Sequence, residues 1–464
     1  MKNITPELKT QWNPKSIIFV LNMLLFVALL KLLPFDPQAN KGLALLAFVA
    51  VLWLTEAVHV TITALLVPIL AIALGLVGTK EALVAFADPT IFLFFGGFAL
   101  ATALHIQKLD SLIANRIMML ARGNLLIAVL YLFGVTAFLS MWISNTATAA
   151  MMLPLAMGVL SKLDREREHN TYTFVLLGIA YSASIGGMGT LVGSPPNAIV
   201  ASQLHLTFAD WLWYGLPIMI LLLPLMIGVL YIVFKPRLNF QFEQKFEQIE
   251  MNGARWKTLG IFIFVALCWI FSSQLNPIIS ELLGLSKKLG SFDSLVALLA
   301  AAIIVILGVA NWDDIQKNTE WGVLMLFGGG LTLSSVLKNS GASQIMADGI
   351  VFLIEGGHFY MIGLIVAAFI IFLTEFTSNT ASAALLVPIF ISIAQTLGMP
   401  AIGLALIIGL GASCAFMLPV ATPPNAIVFG TGAIKQRDMV RAGVILNIIS
   451  VFAIATFGYM FWFN

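Results

Sequence analysis

Long apolar runs separated by short polar intervals recur along the whole chain, at a length that suits a membrane better than a globular core. A hydrocarbon layer of ~30 Å takes about 20 residues of helix. Complete spans are predicted near residues 16–35, 42–58, 60–78, 90–106, 172–204, 211–234, 257–275, 291–310, 321–337, 402–430 and 439–463, eleven in all. Two further apolar stretches, about 125–160 and 360–396, are too long for one span, and each carries an uncharged Ser-Asn-Thr cluster near its middle. Each is either a pair of spans joined by a buried turn or a re-entrant hairpin whose tip stops at mid-membrane. The run after residue 15 exceeds the apolar core of a cleaved signal, so it is expected to stay as the first span.

Charge narrows the arrangement. With a cytoplasmic N-terminus and both uncertain stretches returning to the side they entered, 18 of the 24 Lys and Arg residues fall inside. Only Lys31, Lys41, Lys80, Lys287, Lys288 and Lys338 are left outside, a strong positive-inside bias. A single crossing in either stretch would spoil that count, whereas a hairpin and a pair of spans both preserve it. A polar turn without charge suits a buried tip, which favours the hairpins. The C-terminus is then periplasmic or extracellular, in a bacterial inner membrane.

Composition agrees: 60% of the 464 residues are hydrophobic and 10% charged, which excludes a water-soluble domain. The net charge of +2 gives no basic field for nucleic acid. Cys268 and Cys414 lie in apolar runs and read as small core hydrophobes. The five histidines show no ligand spacing, and no phosphate loop or dinucleotide fingerprint is present. Neither an enzyme nor an organic cofactor is expected. The most polar stretch, 235–256, carries Phe240, Phe242 and Phe246 among Gln and Glu and is expected to be a cytoplasmic interfacial helix between two halves.

Those halves follow from an internal repeat. Residues 144–154 read SNTATAAMMLP and 378–388 read SNTASAALLVP; residues 193–200 read GSPPNAIV and 421–428 read ATPPNAIV. Phe94-Phe95-Gly96-Gly97 is echoed by Leu326-Phe327-Gly328-Gly329. Five complete spans separate the two Ser-Asn-Thr clusters, an odd number, so the halves are expected to be inverted. The division is 1–41 for the tail and first span, 42–234 for the first repeat, and 257–464 for the second. Inverted repeats with helices broken at the midplane are the architecture of secondary transporters. Pro195-Pro196 and Pro423-Pro424 each remove two N–H donors, so broken helices are expected at 193–197 and 421–425. The freed carbonyls must face protein or a polar cavity. Carbonyls with Asn and Ser oxygens suit sodium, and free N–H groups at helix starts suit an anion. Glu56 and Glu375 are acids within or at the end of apolar segments and are functional candidates by position. The first repeat has Met141 where the second has Glu375, so no symmetric role is assigned.

The paired Ser-Asn-Thr and Pro-Pro-Asn segments in an eleven-span chain resemble the divalent anion/sodium symporter family over nearly its whole length. The resemblance implies a homodimer in the lipid bilayer, with a scaffold domain and an elevator-like transport domain holding both hairpins and both broken helices. It implies one sodium site at Ser140, Ser144, Asn145 and the Gly193 backbone, and a second at Thr374, Thr377, Asn379 and the Ala421 backbone. The substrate carboxylates would touch Ser144, Asn145, Thr146, Ser194 and Pro195 of one half, and Ser378, Asn379, Thr380, Thr422 and Pro423 of the other. C4-dicarboxylates such as succinate, malate or fumarate are the implied cargo; the alternatives are sodium-independent exchange, or a carrier for citrate or sulfate. A channel would need a continuous polar lining, which these spans lack.

None of the candidate segments contains Lys, Arg or His. Burying a dianion among neutral groups costs several kcal/mol per charge. Co-bound sodium would supply the missing positive charge and link the two occupancies.

Overall fold

The computed structural model describes residues 14–241, 247–354 and 358–463, and these are all-α apart from one isolated bridge between Asn124 and Gln241. The peripheral first helix α1 (Pro14–Leu32) leads into α2 (Pro37–Thr55) and α3 (Val60–Ala73). Short α4 (Thr79–Val84) precedes α5 (Pro89–Ile106), and α6 (Leu109–Met119) connects to a helical hairpin, α7 (Leu125–Ser140) and α8 (Asn145–Leu160). Then come α9 (His169–Gly186), α10 (Pro195–Leu204) and the long α11 (Phe208–Phe234).

The rest of the chain repeats this order. α12 (Gly253–Ile270), α13 (Ser272–Leu282), α14 (Phe292–Ile306), α15 (Trp312–Asn318), α16 (Trp321–Asn339) and α17 (Ala342–Ile354) lead to a second hairpin. Its limbs are α18 (Phe359–Leu373) and α19 (Asn379–Thr396), and α20 (Ala401–Gly411), α21 (Pro423–Phe429) and α22 (Gln436–Phe461) complete the described chain.

Starts and stops follow local chemistry. Asp36 and Asp88 accept from Gln38 N and Thr90 N ahead of Pro37 and Pro89, which open α2 and α5. Thr207 and Asp210 form a reciprocal capping box on α11. Eight helical segments among the described residues are long and apolar enough to cross a membrane: 14–32, 37–55, 79–106, 208–234, 253–270, 321–339, 379–396 and 436–461. Seven coincide with predicted spans; the eighth, α19, is one limb of a predicted hairpin. The predicted spans 60–78 and 291–310 contain the shorter α3 and α14, while 172–204 and 402–430 are each split into two helices. The chain is thus an all-α, multi-pass membrane protein. Large apolar side chains stand exposed on the outer helices, Leu24 at 64% and Ile232 at 71%, as lipid permits.

Packing is reciprocal between the halves. α5 lies on α14 and α3 on α16, with Gly96 against Ala297 and Gly329 against Ala64 so close that a Cβ would not fit. Small residues at such crossings let backbones approach where lipid gives no hydrophobic push. Phe94 meets Phe327 edge to face at 5.2 Å. α10 docks on α19 and α20 of the second half, and α21 docks on α8 and α9 of the first. α9 and α20 are the most enclosed elements: residues 171–186 and 403–411 are buried throughout. The two cysteines are free and buried.

The interfacial helix expected at 235–256 is not formed in the described part of that stretch. α11 stops where Lys235 turns left-handed (φ 46°), Pro236 follows, and α12 begins only at Gly253. Residues 235–241 and 247–252 form a non-helical strap, tied by Leu125 N to Phe240 O (3.2 Å) and Asn115 Nδ2 to Glu247 O (3.1 Å). Phe242 and Phe246 lie outside the described residues. A left-handed residue followed by proline ends a helix, because proline cannot continue the turn before it.

Candidate functional site

The two interruptions lie slightly upstream of where the Pro-Pro pairs suggested. α9 ends at Gly186 and α10 begins at Pro195; α20 ends at Gly411 and α21 begins at Pro423. Each Pro-Pro pair opens the next helix, where the missing N–H groups have no intrahelical partner to lose. The α-helix is therefore interrupted over 187–194, which holds one 3-10 turn at Leu191–Gly193, and over 412–422.

Each stretch is braced by the Asn that follows its prolines. Asn197 Nδ2 donates to the carbonyls of Gly187 (2.8 Å) and Thr190 (2.7 Å), and Asn425 Nδ2 donates to those of Ala415 (3.0 Å) and Leu418 (3.0 Å). In both halves the acceptors lie ten and seven residues before the Asn. The amide thus satisfies the carbonyl left open by the break, Gly187 or Ala415, and joins Gly193 N or Ala421 N on the second, Thr190 or Leu418, which is the pairing a buried interruption requires. The Oδ1 atoms of Asn197 and Asn425 are buried without a partner.

The hairpin turns repeat one geometry. Ser144 and Ser378 cap α8 and α19 by accepting from Ala147 N and Ala381 N. Ser140 Oγ lies 2.6 Å from Asn145 Oδ1 and 2.7 Å from the Ala183 carbonyl. In the other half Thr374 Oγ1 lies 2.6 Å from Asn379 Oδ1 and 3.0 Å from the Ala412 carbonyl. One hydroxyl proton cannot serve two acceptors at once, so each cluster is a convergence of hydroxyl, amide and carbonyl oxygen. That donor set suits a hard monovalent cation. The backbone is pressed in close: a Cβ on Gly187 would strike the Asn145 amide, and one on Gly193 would lie 2.5 Å from Gly187 O. Thr377 is partly committed elsewhere, its hydroxyl 2.7 Å from Ser382 Oγ and 3.0 Å from Leu373 O.

Both turns and both interruptions open on one cavity of about 520 Å³. Thirteen of the fifteen residues singled out from the sequence line it: Ser144, Asn145, Thr146, Gly193, Ser194, Pro195, Thr377, Ser378, Asn379, Thr380, Ala421, Thr422 and Pro423. Ser140 and Thr374 stand behind the wall, fully buried, orienting Asn145 and Asn379. No Lys, Arg or His lines the cavity, whereas Glu56, Glu320 and Glu375 do. Phe94, Phe98, Trp142 and Phe376 add aromatic wall. Glu320, Phe98 and Trp142 were not legible as site residues. Trp142 and Glu320 do have sequence signals, one inside the hairpin turn and the other an acid directly before a span. The carboxylate of Glu375 accepts from backbone N–H groups of residues 416–418 and from Asn447.

Comparison with known proteins places the chain. It is 77% identical over 450 residues to an uncharacterized transporter of Haemophilus influenzae, covering 97% of this chain and 98% of that protein. It is 37% identical over 429 residues to an uncharacterized transporter of Methanocaldococcus jannaschii (92% and 94%). It is also 32% identical over 480 residues to the sodium-dependent dicarboxylate transporter SdcS of Staphylococcus saprophyticus (95% and 90%). Among solved structures, the Alcanivorax borkumensis YdaH transporter shares the fold at a TM-score of 0.58 and 13% identity, over 83% of this chain and 87% of that one. The family described as "Sodium:sulfate symporter transmembrane region" matches residues 9–464. The chain is therefore a transporter, not an enzyme, and belongs to the sodium:sulfate symporter transmembrane family, the divalent anion/sodium symporters that its paired motifs resemble.

Proposed function

We propose that the protein imports C4-dicarboxylates together with sodium ions across the bacterial inner membrane. The observation that carries this reading is the cavity between the two hairpin turns, lined by hydroxyls, amides and helix starts but by no basic side chain, with three carboxylates in its walls. A dianion entering such a site alone would meet repulsion on top of its desolvation cost of several kcal/mol per charge. Sodium held at the Ser140–Asn145–Ala183 and Thr374–Asn379–Ala412 oxygen clusters, with the Ser144, Gly193, Thr377 and Ala421 groups beside them, offsets that charge. Anion and cation then bind with positive coupling, each raising the affinity for the other. The N-termini of α8 and α19, with Thr146, Thr380, Ser194 and Thr422, supply N–H and O–H donors for the two carboxylates. The name of the staphylococcal relatives supports dicarboxylate over citrate or sulfate.

Residues 42–234 and 257–464 are the inverted halves of this reading, with the 125–160 and 360–396 hairpins re-entrant from opposite sides. The hairpins with α9–α11 and α20–α22 form a body that carries the cavity across the membrane, against a scaffold through which two protomers associate. The N-terminus is cytoplasmic and the C-terminus periplasmic. The test is labelled succinate uptake into proteoliposomes. Uptake is expected with an inward sodium gradient, to vanish when choline or potassium replaces sodium, and to be competed by malate and fumarate. Undiminished uptake in choline would sink the coupling. Competition by sulfate or citrate alone would reassign the cargo, and uptake only against preloaded dicarboxylate would indicate exchange.

A further inference from the structure

The two halves are not chemically equal beneath the site, and the difference centres on Glu375. Asn197 and Asn425, Asp210 and Asp438, and Gly215 and Gly443 are each 228 residues apart. The fold keeps that register: a Cβ on Gly215 would strike the Met188 carbonyl and one on Gly443 would strike the Phe416 carbonyl, again 228 apart. The same register sets Met219 opposite Asn447. The Ser-Asn-Thr motifs set Met141 opposite Glu375, each three residues before the capping Ser.

In the first half Met141 and Met219 both press on Gly189, where a Cβ would lie 2.7 Å from Met219 Sδ and 3.1 Å from Met141 Cγ. In the second half their places are taken by Glu375 and Asn447, with Oε1 and Nδ2 2.7 Å apart. Glu375 Oε1 also accepts from Phe416 N (2.7 Å) and Met417 N (2.9 Å), and Oε2 accepts from Leu418 N (3.1 Å). The side chain is fully buried. Both oxygens serve only as acceptors, the bonding pattern of a carboxylate.

Two consequences follow. Three successive N–H groups gathered on one carboxylate fix the path of the unwound stretch that leads to Ala421. Glu375 also follows Thr374 in the chain and shares the cavity wall with Thr377, Asn379 and Ala421, so the second half carries a fixed negative charge at this site where the first half has only thioethers at the matching positions. Away from water such a charge attracts a cation strongly.

We propose that Glu375, held by Asn447, is a positioning residue that makes the second half's cation site the tighter of the two, so that sodium fills the second half first. This rests on the sodium-coupled reading. The experiment measures sodium titrations of thermal stabilisation without substrate, and succinate affinity at saturating sodium, on the purified full-length protein. Glu375→Gln is expected to raise the sodium half-saturation measured without substrate roughly tenfold. The double variant Glu375→Met with Asn447→Met, which installs the first half's pair, is expected to do the same. A folded Glu375→Gln protein with a wild-type sodium curve would overturn the inference, as would loss of succinate affinity with the sodium curve unmoved. Should both variants fail to fold, Met141→Glu with Met219→Asn decides: a tightened sodium curve supports the inference and an unchanged one overturns it. Wild-type protein stabilised equally by sodium and choline would instead refute the coupled reading itself.

Discussion

Replacing Asn197 by Leu removes the amide while keeping the same branching and number of heavy atoms, and so tests the brace on the first interruption. The side chain is fully buried, and its Nδ2 holds the carbonyls of Gly187 and Thr190 at 2.8 and 2.7 Å. A buried carbonyl left unpaired costs about 1–3 kcal/mol, and that of Gly187 is the one left so, because Thr190 O keeps Gly193 N at 3.3 Å. In membrane proteins the unfolded reference also finds partners, and measured side-chain bonds average nearer ~0.6 with a maximum of ~1.7 kcal/mol. About 1–3 kcal/mol is therefore the expected loss. Uptake should fall further than stability, by more than about tenfold, because the released loop carries Gly193 and Ser194 on the cavity wall. Asn425→Leu should match it, since its acceptors sit in the same register. The assay pairs thermal unfolding in detergent with sodium-driven succinate uptake. Wild-type melting and uptake within twofold in Asn197→Leu would refute the claim that this amide braces the break.

Two further outcomes test the same geometry. Asn145→Ala and Asn379→Ala are each expected to abolish uptake while leaving a folded, detergent-stable protein, because each removes the amide oxygen on which Ser140 or Thr374 converges; near-normal uptake in both would overturn the site. Gly187→Ala is expected to cut uptake about tenfold or more, because its Cβ meets the Asn145 amide; uptake equal to wild type would mean that the tip gives way freely.

Much of this protein was legible in the chain before any coordinates. Apolar run length announced a membrane protein, because hydrocarbon thickness is read directly in residues. The duplicated Ser-Asn-Thr and Pro-Pro-Asn segments carried the family resemblance, and thirteen of the fifteen site residues that the resemblance implies line the cavity. Those signals are local: helix caps, missing N–H donors and repeat register are properties of neighbouring residues. The strap after α11 shows where such reading fails. Its Phe, Gln and Glu content suggested an amphipathic helix, but Lys235 and Pro236 end the helix, and the non-helical path is held by α6 and α7, far away in sequence.

Only the tertiary structure decided which distant groups meet. It set α10 on the opposite hairpin, gave the Asn amides their carbonyls, brought Glu320 to the cavity, and turned Glu375 onto the backbone of residues 416–418. Nothing in the sequence near Glu375 tells whether a buried acid faces a cation, an amide or a backbone loop. The low dielectric around it demands a partner, and the packing of α18, α20 and α22 chooses which one it finds.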